Sequence, residues 1–207
     1  MLDIDTLRIA QAGVAACAFL LVYVGTYRRA RTPFAGWWSA AMLGSGASSG
    51  IDLLADAAAI PGGGAVGNAL SVASLGMVWA AARSLRDASM RAWWWWGPGV
   101  AALVLSLLEN PSGHAWPGGL TLLVGMGTMM SLAAAELWIL RRANDVDDLP
   151  DTLAAARVAV TAMAIASTAA ASFYGMRALA YIVAGPDSAL YRTWLGPEVT
   201  TFLVMLM

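Results

Sequence analysis

The chain of 207 residues has no lysine, one cysteine, one histidine and few charges of either sign. Each shortage excludes something. Without a lysine amine there is no Schiff base, so a retinal pigment is ruled out for these residues. Cys17 cannot form an internal disulfide and reads as a small core residue of the first apolar run. His114 stands alone, with no Cys/His cluster around it, so neither a metal site nor a cofactor is expected. Charged residues make up 12% of the chain, about half the share of an ordinary soluble domain. The formal net charge of −1 leaves no concentrated basic face, which excludes nucleic-acid binding as the main role. The opening Met1-Leu-Asp-Ile-Asp5 lacks the basic region of a cleavable signal peptide, so none is expected.

What is present is apolar surface. The chain is 59% hydrophobic, its mean hydropathy is +0.66, and its apolar residues come in long runs broken by short polar turns. A helix needs about 20 apolar residues to cross a bilayer, and helices satisfy their own backbone there. The expectation is an all-α polytopic membrane protein whose single bundle fills residues 1–207. Seven segments can be marked, at about 6–27, 34–58, 65–82, 93–108, 118–140, 153–184 and 194–207.

All twelve basic residues are arginine, and their placement gives a direction. Arg28, Arg29, Arg31, Arg83, Arg86, Arg91, Arg141 and Arg142 follow segments one, three and five, and Arg157 snorkels to the same side. Arg8 and Arg192 lie near the opposite ends, and Arg177 lies inside segment six. Basic residues near helix ends stay cytoplasmic. The N-terminus is therefore expected outside, with segment seven directed into the cytoplasm across a bacterial inner membrane. Trp37, Trp38, Trp79, Trp93 to Trp96 and Trp138 fall near the cytoplasmic ends, while Trp116 and Trp194 fall near the outer ends. That is the distribution of interfacial aromatic belts.

Segment seven holds about 13 residues from Leu195, too few to span. A carboxylate in mid-bilayer would be costly, so the natural chain is expected to continue this helix towards a cytoplasmic output domain.

Ionisable residues inside membrane segments are candidate functional groups. Asp52 and Asp56 share a face one turn apart near the outer end of segment two. Glu109 ends segment four on the same side, Tyr174 and Arg177 lie in the outer half of segment six, and Glu198 opens segment seven. If these helices converge, Arg177 pairs with one carboxylate and an outward-facing polar pocket results. The plainer alternative puts Asp56, Glu109 and Glu198 in water at headgroup depth, with Arg177 snorkelling. A buried, paired role is expected for Asp52 and Arg177. Glu136 is expected to form a structural ion pair with Arg141 or with an arginine of a neighbouring helix. The stretch Gly46-Ala-Ser-Ser-Gly50 fits G-x-S-x-G, but a hydrolase elbow needs a strand-to-helix turn and a base. Small residues that let helices approach closely are the better reading.

Gly67-Asn-Ala-Leu70, leading through Leu75-Gly-Met-Val-Trp79 to Arg83-Ser-Leu-Arg86 and a Trp-rich re-entry, resembles the N-terminal sensory regions that precede bacterial GGDEF diguanylate cyclase domains. Trp37-Trp38 and Phe173-Tyr-Gly-Met-Arg177 are similar to that family as well. The resemblance implies a seven- or eight-helix input region, a cytoplasmic cyclase making cyclic di-GMP, and a homodimer formed through the output domain. No GGDEF motif lies within the 207 residues. The expected function is a membrane-embedded sensory module for a small or lipid-borne ligand. The alternatives are a transporter or channel subunit, for which no internal repeat is visible, and a structural subunit of a membrane complex.

Overall fold

The computed structural model describes residues 4–60, 62–86, 90–109, 119–143 and 151–185, together with Ser188, Tyr191 and Leu195. Among the described residues every element is helical. Helix α1 (Ile4–Val22) continues through one wide π turn (Tyr23–Tyr27) and a last turn (Arg28–Ala30). Phe19, Tyr23 and Tyr27, four residues apart, stack their rings with centroids 5.3 and 5.6 Å apart. Arg31, at φ 49°, ends the helix in the left-handed conformation.

Helix α2 (Pro33–Ala57) begins with the signals such a start needs. The Thr32 hydroxyl accepts the Ala35 N–H, and Pro33 occupies the first helical position, where no N–H is required. Its far end closes in a Schellman motif, with Ile60 N–H bonding to Ala55 C=O and Ala59 N–H to Asp56 C=O. The residue forced to positive φ in that motif is Ala59, at 49°. Helix α3 (Gly63–Ser84) follows after Gly62, whose φ of 77° turns the chain back. Helices α4 (Trp93–Glu109), α5 (Leu120–Ala143) and α6 (Asp151–Ala184) complete the described bundle.

The helices pack as a row bent around α3. Helix α1 lies on α2, α2 on α3, α3 on both α4 and α5, and α5 on α6. The composition of the core is inverted relative to a soluble bundle. Among the described residues 21 hydrophobic ones are buried and 14 of these are alanine, while Leu20, Leu21, Leu54, Leu108, Val158, Ile182 and Val183 face outwards. In lipid nothing drives large apolar side chains inwards, and small residues let helix backbones approach. Gly76 shows how close: a Cβ there would stand 2.4 Å from the Trp95 carbonyl oxygen of α4.

Among the described residues four stretches, Arg8–Ala30, Gly63–Ser84, Leu120–Arg142 and Ala156–Ala184, are long and apolar enough to cross a membrane, which marks the chain as a membrane protein. The 34 residues of α6 rise about 51 Å, well beyond a hydrocarbon core of about 30 Å. Seven spans were expected. Helix α2, carrying Asp52, Asp56 and several serines, and α4, with 17 residues, do not reach the same standard. The expected seventh segment with Glu198, apart from Leu195, and the turns with His114 and Trp116 lie outside the described residues.

The alternating chain direction sorts polar side chains into two ends. One, here the arginine–tryptophan end, gathers the end of α1, the start of α2, the end of α3, the start of α4 and the end of α5. The other holds Arg8, Asp52, Asp56, Glu109 and Arg177 and is called the aspartate end.

Candidate functional site

At the aspartate end, α2 and α3 meet along a polar seam. Ser48 and Asp52 are one turn apart on α2, and Gly67 and Ser71 are one turn apart on α3. The Ser48 hydroxyl lies 2.9 Å from the Gly67 carbonyl oxygen and 2.6 Å from the Ser71 hydroxyl. The Asp52 carboxylate lies flat on Gly67, with Oδ1 1.9 Å from where a Cβ would be. A Cα–Cβ bond is about 1.5 Å long, so Oδ1 is within about 3.4 Å of the Gly67 Cα, the range of a weak Cα–H···O contact. Oδ1 is buried and has no hydrogen-bond donor among the described residues. A carboxylate oxygen in such a place is costly to leave unmet. One turn further out, Arg8 of α1 donates to Asp56 Oδ2 at 2.5 Å. The Arg8 side chain is 8% exposed and that of Asp56 62% exposed, so the pair spans the rim of the bundle. Arg8 and Asp56 are the charges that act on Asp52, one attracting and one repelling it. On the other flank of α3, the Asn68 amide donates to the Ser106 hydroxyl of α4 at 3.2 Å.

Arg177 is also buried, at 3% exposure, but among different partners. It lies 5.9 Å from the Phe173 ring centroid and 5.7 Å from that of Tyr191, and its Nη2 donates to the Tyr191 hydroxyl at 3.3 Å. Burial raises the pKa of the Tyr191 phenol above its ordinary 10.0, and the Arg177 charge opposes that rise. The phenol is therefore neutral at physiological pH, and its oxygen accepts from Arg177. Tyr174 is buried against Leu123 and Ala178, and Tyr181 meets Tyr191 edge to face.

Asp52 and Asp56 thus share a face, as their spacing requires, and Tyr174 and Arg177 lie together on α6. Asp52 and Arg177 are not brought together. Their helices belong to different parts of the row, α2 against α1 and α3, and α6 against α5. Glu109 is exposed and lies against the start of α5. Its Oε1 accepts the Thr121 N–H at 3.2 Å and so caps the start of α5, where an anion is favoured. Glu198 lies outside the described residues.

The opposite end holds a closed ion triad. Glu136 of α5 accepts from Arg83 Nη1 at 2.9 Å and from Arg86, both on the last turn of α3 and the residues following it. Arg83 lies 5.3 Å over the Trp94 ring, which is stacked on Trp79. This is the structural pairing expected of Glu136, with the neighbouring helix as its partner. Arg141, five residues along the same helix, is rotated about 140° away from it.

Ser48, Ser71, Asn68 and Arg8 were not among the site residues expected from the sequence. A polar residue one turn from Asp52 was a usable signal for Ser48. Nothing in the chain pointed to Arg8 as the partner of Asp56, 48 positions away. Gly46 approaches Ala12 and Ala15 of α1, so the G-x-S-x-G stretch serves helix contact, and the Ser48 hydroxyl bonds to Gly67 and Ser71 rather than to a base. The seam can bind, through hydroxyls and a carboxylate, but offers no nucleophile paired with a base. Compared with known proteins, the chain matches no family model, no curated protein and no solved structure.

Proposed function

We propose that the chain is the input module of a membrane sensor. In this reading the bundle has seven spanning helices, and the N-terminus and the aspartate end face outwards from a bacterial inner membrane. The seam around Asp52 receives a small or lipid-borne ligand, and a shift of the last helix passes to a cytoplasmic output domain. By resemblance that domain is a diguanylate cyclase, paired as a homodimer. The observation that carries the reading is the buried Asp52 Oδ1, which has no donor among the described residues although Ser48, Ser71 and Arg8 all lie within a turn or so. A ligand with one N–H or O–H group would complete it. Binding then biases the packing of α2 on α3, which is the differential contact a two-state input needs.

A transport path is the competing reading, and the packing weighs against it. Towards the arginine–tryptophan end the seam runs into an apolar cluster of Ala41, Val78, Ala82, Ala133, Leu137 and Ala164. The test is intracellular cyclic di-GMP in cells carrying the full coding sequence. Expression should change its level, and Asp52→Asn should alter that change while membrane insertion is kept. A level indifferent to both would sink the sensor reading.

A further inference from the structure

At the arginine–tryptophan end, α5 carries an open groove of about 460 Å³ lined by Ala135, Trp138, Ile139 and Arg142. Its wall is apolar and its mouth is cationic. Ala135, Ile139 and Arg142 are exposed, and the Trp138 indole is held in place by donating to the Thr168 hydroxyl of α6 at 3.0 Å. Arg141 lies 5.2 Å over the Trp138 ring, and its Nε is buried without an acceptor among the described residues. The carboxylate of Glu136, on the same helix, is already shared by Arg83 and Arg86 and is not available to it. Trp93 and Trp96 stand exposed at the same end, at the depth where indoles meet headgroups. A buried donor, a second exposed guanidinium and an apolar channel side by side suit one class of molecule: an anion attached to hydrocarbon.

We infer that this groove holds an anionic phospholipid, its phosphate between Arg141 and Arg142 and one acyl chain along Ala135, Trp138 and Ile139. Arginine pairs with phosphate through two parallel N–H donors, and Arg141 has Nε–H to give. The lipid also ties α5 to α6 through Trp138, so the site adds to bundle stability in anionic membranes. The inference requires only that the chain sit in a membrane, and it stands whether or not the sensor reading does.

The test uses the full chain reconstituted in nanodiscs of phosphatidylglycerol and phosphatidylcholine in equal parts, with bound lipid counted by native mass spectrometry after release. Wild type should retain phosphatidylglycerol preferentially. Each basic residue near an anionic surface contributes about fivefold, so Arg141→Gln with Arg142→Gln should weaken that preference about 25-fold. Ala135→Leu, which fills the groove and keeps both charges, should lower phosphatidylglycerol retention with the unfolding temperature in neutral lipid unchanged. Glycerol phosphate without acyl chains should fail to compete. Equal retention of both lipids by wild type overturns the inference, as does undiminished retention by Ala135→Leu, which decides the matter if the double variant does not fold. Competition by glycerol phosphate as strong as by the lipid would reduce the site to a plain anion site and overturn the lipid assignment.

Discussion

Consider alanine in place of Gly67. On helix propensity alone the change favours folding by about 1 kcal/mol. The new Cβ, however, lands 1.9 Å from Asp52 Oδ1, 2.7 Å from Cγ and 3.0 Å from Oδ2. The carboxylate must swing off its rotamer, at about 0.5–1.5 kcal/mol, and loses its Cα–H···O contact, at about 0.5–1 kcal/mol. If it cannot swing, α2 and α3 separate, with an overpacking cost of about 1–3 kcal/mol. The net expectation is a loss of about 1 kcal/mol. In an Asp52→Ala background the obstacle is gone, and Gly67→Ala should stabilise by about 1 kcal/mol. The sign reverses, with a coupling of about 2 kcal/mol between the two positions. Reversible unfolding in mixed micelles, run on all four members of the double-mutant cycle, reads this directly. A Gly67→Ala effect of the same sign and size in both backgrounds would refute the contact between Asp52 and α3.

Other positions give independent checks. Ala59→Gly should raise stability by about 1 kcal/mol in the same unfolding assay, because it relieves a left-handed alanine in the Schellman turn. Gly76→Ala should cost about 1–3 kcal/mol, since its Cβ meets the Trp95 carbonyl oxygen and backbone cannot rotate aside as a side chain can. Glu136→Gln leaves Arg83 and Arg86 facing each other around a neutral amide. A loss of about 2 kcal/mol is expected, reduced by added salt because both guanidinium groups are partly exposed.

Much of the architecture is written locally. Thr32-Pro33 starts a helix by capping, Gly62 turns one back, and the apolar runs between polar turns are sufficient for an all-helical chain with membrane-length helices. The choice of neighbours is not local. Asp52 and Arg177 were natural partners by charge and depth, yet α3 and α5 are packed between α2 and α6, so the two groups face different helices. Arg8 reaches Asp56 because α1 lies along α2, and only the packed row reveals it. Glu109 was legible as an outer carboxylate but not as a cap, since that role depends on where α5 begins in space. Glu136 was readable in kind, as an ion-paired carboxylate, while its partners depended on α3 ending beside α5.

The membrane orientation is the point on which the proposed role rests most directly, and one labelling measurement reads it. In a Cys17→Ser background, Ala30→Cys places an exposed thiol at the arginine–tryptophan end and Ala58→Cys places one at the aspartate end. With an outward-facing aspartate end, a membrane-impermeant maleimide applied to intact cells should label the Ala58→Cys variant, and should label the Ala30→Cys variant only after permeabilisation. Labelling of the Ala30→Cys variant with protection of the Ala58→Cys variant would contradict that orientation, and with it an Asp52 seam that receives its ligand from outside.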